Sequence, residues 1–99
     1  MMIRVWEYAV AEDSVGDFER EYGADGAWAR LFASSSGFEG TDLFVSLSRP
    51  GRYLTVDRFT DEAAWDRFQA EHRDAYLRLD AETEGLAVDE RALIGPDLR

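Results

Sequence analysis

The stretch FQAEHRDAY, residues 68 to 76, holds the single histidine of the chain. Read as a helix, it places His72 on one stripe with Phe68, Ala75 and Tyr76. An imidazole, with an ordinary pKa near ~6.5, is the side chain suited to taking a proton close to neutral pH. Arg4 and Arg58 are cations set inside otherwise apolar strand-like runs, and either suits the holding of an anion. Trp6, Phe59, Trp65, Phe68 and Tyr76 offer flat apolar surfaces that favour offset stacking. Asp57, adjacent to Arg58, adds a carboxylate. A base, a cation and a dry aromatic pocket are what a protein needs to take the proton from a phenol or enol and hold the anion. The candidate catalytic residues are therefore His72, as base, with Arg58 and Arg4. The candidate substrate-binding residues are Trp6, Asp57, Phe59, Trp65, Phe68 and Tyr76.

The same residues have a plainer reading. A histidine on an apolar stripe is commonly packed and hydrogen-bonded. Aromatic residues at helical spacing build cores. Charges inside strands form ion pairs between strands or subunits. Asp57 and Arg58, as neighbours on a strand, must point to opposite faces. One therefore meets the helices and the other meets whatever covers the far side.

Composition narrows the partners. The chain has 99 residues and a net charge of −10. That length predicts one domain over residues 1–99. Such a surface repels phosphate backbones and anionic lipid, so neither nucleic acid nor a membrane is expected as a partner. The absence of cysteine excludes thiolate metal sites, disulfides and a cysteine nucleophile. One histidine makes a zinc site unfavourable, and no metal or other cofactor is expected. No run approaches the ~20 apolar residues of a membrane helix, and MMIRVWEYAV is too interrupted by charge for a signal peptide. The expected location is cytoplasmic.

The elements that must position these residues follow from periodicity. MIRVWEYAV, residues 2 to 10, reads as a strand, with Ile3, Val5 and Ala9 on one face and Met2, Trp6, Tyr8 and Val10 on the other. A helix follows, with Ser14 and Asp17 as a capping box and Val15, Phe18 and Tyr22 inward. Gly23 stops it. Asp25 is placed to cap a second short helix, which turns Trp28, Leu31 and Phe32 inward. Strands are expected over 37–47 and 53–59, joined by the hairpin turn SRPGR. Thr60 or Asp61 then caps a long helix to about residue 82, and GLAVDERALIG is the fourth strand. The order β-α-β-β-α-β predicts a ferredoxin-like α+β fold, an antiparallel sheet with helices on one face. Both strand faces are apolar, so the bare face needs a cover, and a second copy of the sheet is the expected one.

Several segments carry a family resemblance: RVWEY, DFEREYG, DGAWARLF, PGRYLTVDRF and AAWDRFQAEHRDAYLRLD. Through them the chain resembles the antibiotic biosynthesis monooxygenase superfamily of dimeric α/β barrels. The likeness extends over nearly the whole length. It implies a sheet-to-sheet homodimer and a pocket between each sheet and its helices. It also implies oxidation of a small aromatic substrate, a phenol, quinol or polyketide, by O₂ without metal or flavin. Other members of such a family degrade heme, oxidise quinols or have no known activity, and a small-ligand-binding or stress-related module is the alternative. The heme-degrading pattern has an Asn on the first strand and a Trp and a His on the long helix. Here Trp6 and Phe68 take the first two positions, and His72 falls short of the third, which lies nearer Arg78. Heme is therefore not expected. RNA-recognition motifs share the topology, but RYLTVDRF lacks their glycines and the charge is of the wrong sign.

Overall fold

The computed structural model describes residues 1–97. Four strands and three helices follow one another as β1 (Met2–Ala9), α1 (Val15–Tyr22), α2 (Ala27–Phe32), β2 (Phe38–Val45), β3 (Arg52–Phe59), α3 (Glu62–Thr83) and β4 (Asp89–Ile94). A 3-10 turn, Glu12–Ser14, leads into α1. The sheet order is β2-β3-β1-β4, and every neighbouring pair is antiparallel. This is the ferredoxin-like α+β arrangement expected from the sequence.

Local signals set most boundaries. Asp61 caps α3, its carboxylate accepting from the Ala64 N–H at 2.8 Å. In the β2–β3 hairpin, the Arg52 N–H donates to the Arg49 carbonyl at 3.1 Å across Pro50 and Gly51. Gly51 takes φ +79°, which makes this a type II turn. The expected caps of the first two helices do not form. Ser14 is already helical and makes no side-chain cap, and Asp17 pairs with Arg20 at 2.6 Å instead. Gly26, not Asp25, precedes α2. A Cβ at Gly26 would run into the carbonyl oxygens of Glu21 and Arg20, so glycine lets α2 start hard against the end of α1.

Register decides which side chains meet. Arg4 lies opposite Asp57, Trp6 opposite Thr55 and Tyr8 opposite Tyr53. Even positions of β1 and odd positions of β3 therefore face the helices, and Tyr53, Thr55, Asp57 and Phe59 are all buried there. Trp65, Phe18, Phe32, Phe59 and Phe68 are the largest fully buried side chains. Around Phe32 the rings of Phe59, Trp65 and Phe68 meet edge-on, at 5.7, 6.2 and 5.1 Å. The opposite face of the sheet carries Ile3, Val5, Leu54, Val56 and Phe44, and no helix among the described residues packs over it. No helix among the described residues is long and apolar enough to cross a membrane.

A candidate active site between sheet and helices

The first strand must carry one cation inward, because Arg4 falls on the same face as Trp6 and Tyr8. Arg4 is 2% exposed, so its guanidinium has left water and must find partners within the fold. Nη1 reaches Asp57 Oδ2 at 3.3 Å, and Nη2 reaches the Tyr76 hydroxyl at 3.4 Å. Nε donates to the Pro96 carbonyl at 3.0 Å, and Asp97 lies 3.8 Å away. The guanidinium carbon sits 4.3 Å from the Trp65 ring centre and 5.6 Å from that of Phe32, within cation–π range. Asp57 accepts a second bond, from Thr41 Oγ1 at 2.7 Å. Burial pushes the Asp57 carboxyl up, and Arg4 and Thr41 pull it back.

The tail that meets Arg4 is held by glycine. Gly95 takes φ +88°, and a Cβ there would collide with the Ile3 carbonyl. The chain after β4 thus turns closely over β1 and delivers the Pro96 carbonyl to Arg4.

These groups floor a cavity of about 40 Å³. Trp6, Tyr8, Tyr22, Trp28 and Tyr76 wall it, and Asp80 and Glu90 stand at its exposed rim. A second cleft of about 430 Å³ lies between the end of α3 and the approach to β4. Tyr22, Asp80 and Glu90 line both, so the cleft adjoins the cavity. Burial pushes up the pKa values of Tyr8, Tyr22 and Tyr76. Their hydroxyls stay protonated at neutral pH and serve as hydrogen-bond groups rather than bases. Glu90 and Asp80 are also raised, first by burial and then by the carboxylates around them.

The candidates from the sequence separate into three groups. Arg4, Trp6, Asp57 and Tyr76 come together on the cavity wall. Phe59, Trp65 and Phe68 pack beneath it as core. His72 and Arg58 do not line it. Arg58 lies on the far face, where Nη1 binds Asp42 at 2.6 Å, because Asp57 already takes the inward direction at the preceding position. His72 is half-buried on α3, its ring 5.6 Å from Phe68. Its φ of −130° and ψ of 22° break the helix, so the stripe does not run through it, and Tyr76 reaches Arg4 instead.

Sequence reasoning placed Tyr8, Tyr22, Trp28 and Phe32 in the core without assigning them to a site. It missed Thr41, Thr55 and Asp80, and left Glu90 among the charges inside strands, read as ion pairs or a polar pocket. The two threonines carried a signal, being polar positions in the inward register of β2 and β3. Among the described residues, no group of three His, Cys, Asp or Glu side chains converges as a metal site.

Solved structures share this architecture. PA3566 from Pseudomonas aeruginosa is 19% identical, with a TM-score of 0.63, over 97% of this chain and 93% of that one. SnoaB from Streptomyces nogalater, a cofactor-independent oxygenase, is 17% identical with a TM-score of 0.63, again over 97% and 93%. A protein from Lactobacillus acidophilus, described as a monooxygenase, is 16% identical with a TM-score of 0.65 over 92% of this chain, which spans 41% of its length. At these identities the likeness is one of fold. No curated protein matches the chain. The family model for antibiotic biosynthesis monooxygenases matches residues 1–80, and the chain belongs to that family.

Proposed function

We propose that this protein is a cofactor-independent monooxygenase for a small, electron-rich aromatic substrate, a phenol, quinol or polyketide-like ring. The observation that carries this reading is a buried guanidinium, Arg4, on the floor of a cavity walled by tryptophan and tyrosine. Loss of a proton from such a substrate creates an oxyanion. Arg4 and the Tyr76 hydroxyl, 3.4 Å apart, are placed to hold it. Glu90 faces inward opposite Tyr8, and its raised pKa makes it a stronger base than an ordinary glutamate, so it takes the proton. The inner cavity, at about 40 Å³, is much smaller than the adjoining cleft of about 430 Å³. The ring therefore lies in the adjoining cleft with its reacting edge at Arg4.

The chemistry balances without an external reductant. The carbanion or phenolate gives one electron to O₂, and the radical pair collapses to a carbon-bound peroxide. Loss of water then converts an activated CH₂ to C=O, one oxygen atom entering the substrate and the other leaving in water. The protein positions, desolvates and holds charge.

The bare sheet face supports a homodimer. Phe44 is 52% exposed there and adjoins Leu54 and Val56 of β3. A pairing of two copies would bury roughly 1,500 Å² or more. Sedimentation velocity over a dilution series checks this, and a folded monomer at all concentrations would refute it. The small inner cavity favours one rival, a binding module without turnover. Oxygen-electrode assays with hydroquinones and anthrones separate the two readings. Uptake of ¹⁸O from ¹⁸O₂ into product, and its loss in Glu90→Gln, is the expected result. Binding of the panel without oxygen uptake would favour the module.

A further inference from the structure

Two features at the end of β4 send the chain back over β1. Ala92 and Ile94 are the partners of Trp6 and Val5, and Leu93 is an extra residue between them. Such a bulge bends a strand and increases its twist. Gly95 then takes φ +88°, and a Cβ there would meet the Ile3 carbonyl, so the backbone crosses β1 in close contact. Residues 95–97 thus form a short strap that ends at Arg4.

The strap lies at the mouth of the inner cavity. Glu90 and Ala92 pair with Tyr8 and Trp6 and so face the helix side, yet every residue of β4 is exposed. The helix layer stops short of β4, and the cavity opens there. The Asp97 charge is felt at Tyr76, Asp80 and Glu90, which all line that cavity.

The contacts of the strap with Arg4 are unequal. The Pro96 carbonyl accepts from Nε at 3.0 Å. Asp97 Oδ1 lies 3.8 Å from Nη2, and its side chain is 56% exposed. That is an ion pair without a hydrogen bond, which between arginine and carboxylate runs about 2.7–2.9 Å. The Tyr76 hydroxyl, on the same nitrogen, is also long at 3.4 Å. Nη2 is therefore the loosely held nitrogen of a guanidinium whose Nε and Nη1 serve Pro96 and Asp57. Asp97 is drawn inward by Arg4 and pushed outward by Asp80 and Glu90.

We propose that residues 95–97 are a displaceable strap, in which the Asp97 carboxylate holds the place of a substrate oxyanion at Arg4 Nη2. An incoming phenolate takes that nitrogen, Asp97 moves out to solvent, and the space over Arg4 opens. This rests on the reading of Arg4 as the holder of the oxyanion, and it adds a selection by charge. A neutral ring brings nothing to exchange for Asp97 and leaves the strap in place.

The probe is the anion of 2-hydroxy-1,4-naphthoquinone, with 1,4-naphthoquinone as the neutral control. The first readout is the backbone N–H of Asp97 in the ¹⁵N–¹H spectrum of the wild-type chain. With the anion bound, that resonance is expected to shift and its heteronuclear NOE to fall, and with the neutral quinone neither changes. The second readout is affinity. Asp97→Asn is expected to bind the anion about two- to fivefold more tightly, a gain that shrinks in high salt, and to bind the neutral quinone as the wild type does. Asp80→Asn removes a charge at the same mouth without freeing Nη2, so its gain is expected to be smaller. Equal gains in the two variants, or an Asp97 resonance unmoved by the bound anion, overturn the strap and leave the proposed function standing. An anion that binds neither the wild type nor Asp97→Asn overturns the reading of Arg4, and the strap with it.

Discussion

Two arginine–aspartate pairs sit on opposite faces of one sheet. Arg58 and Asp42 meet on the outer face at 2.6 Å, both partly exposed. Arg4 and Asp57 meet on the inner face at 3.3 Å, both nearly inaccessible. By distance the outer pair is the better one. By consequence it is the lesser, because water and salt screen it and its loss leaves nothing stranded. The inner pair is longer because each partner is shared. Arg4 also serves Tyr76, Pro96 and the Trp65 face, and Asp57 also accepts from Thr41. Desolvation, more than hydrogen-bond length, decides what an ion pair does in a fold. The inner pair costs stability to assemble and yields a preorganised cation.

The largest effect that separates the pairs is truncation of one partner. Arg4→Ala leaves Asp57 buried with Thr41 alone, and is expected to destabilise the chain by about 3–5 kcal/mol in urea. In the dissociated monomer Arg58→Ala is expected to cost under about 1 kcal/mol, with a loss that shrinks in high salt, and to cost more where a second copy covers that face. Equal losses would mean that the outer face is as dry as the inner, as a dimer interface would make it. Measuring Arg58→Ala above and below the dissociation range tells these apart.

A smaller effect tests the link from Arg4 to the ligand. Tyr76→Phe removes one hydroxyl, and with it one partner of Arg4. It is expected to lower stability by about 1 kcal/mol and to weaken binding of a phenolate more than that of a neutral ring. An equal change for both ligands would detach Tyr76 from the anion.

How far the sequence exposed this difference is instructive. The strand alternation makes Asp57 and Arg58 face opposite ways, and it puts Arg4 beside Trp6 and Tyr8. It does not say which face is inward, because both faces are apolar. That follows from where the helices pack, which buries Tyr53, Thr55, Asp57 and Phe59, and the register of β1 against β3 then puts Arg4 on the same face. The long helix was legible in type and length, since Trp65, Phe68, Tyr76 and Leu79 keep helical spacing. The break at His72 was not, because no proline or glycine marks it. A histidine assigned to the pocket by uninterrupted periodicity therefore falls outside the cavity wall. The rim was illegible for another reason. Asp80 and Glu90 come from elements that meet only through the fold, and each alone looks like an exposed charge.

The rim supplies the smallest of the expected effects, and it contrasts with both pairs because it joins like charges. Asp80 and Glu90 have raised pKa values, through burial first and neighbouring carboxylates second. An acid whose folded-state pKa lies above its unfolded value binds protons more readily when folded. Its stabilising contribution is complete below the unfolded value, about 4, and is lost as pH rises through the folded value. Asp57 shifts in the same direction. The urea midpoint is therefore expected to fall as pH rises from about 4 through the raised range, and to level off above it. Glu90→Gln removes one of the titrating groups and relieves Asp80 of a neighbour, so it flattens that slope and raises the midpoint at pH 7. A slope unchanged in both Glu90→Gln and Asp80→Asn would assign the pH dependence to Asp57 and hence to the inner pair. That outcome would make the arginine on the cavity floor, rather than the carboxylates at its mouth, the group through which pH acts on the site.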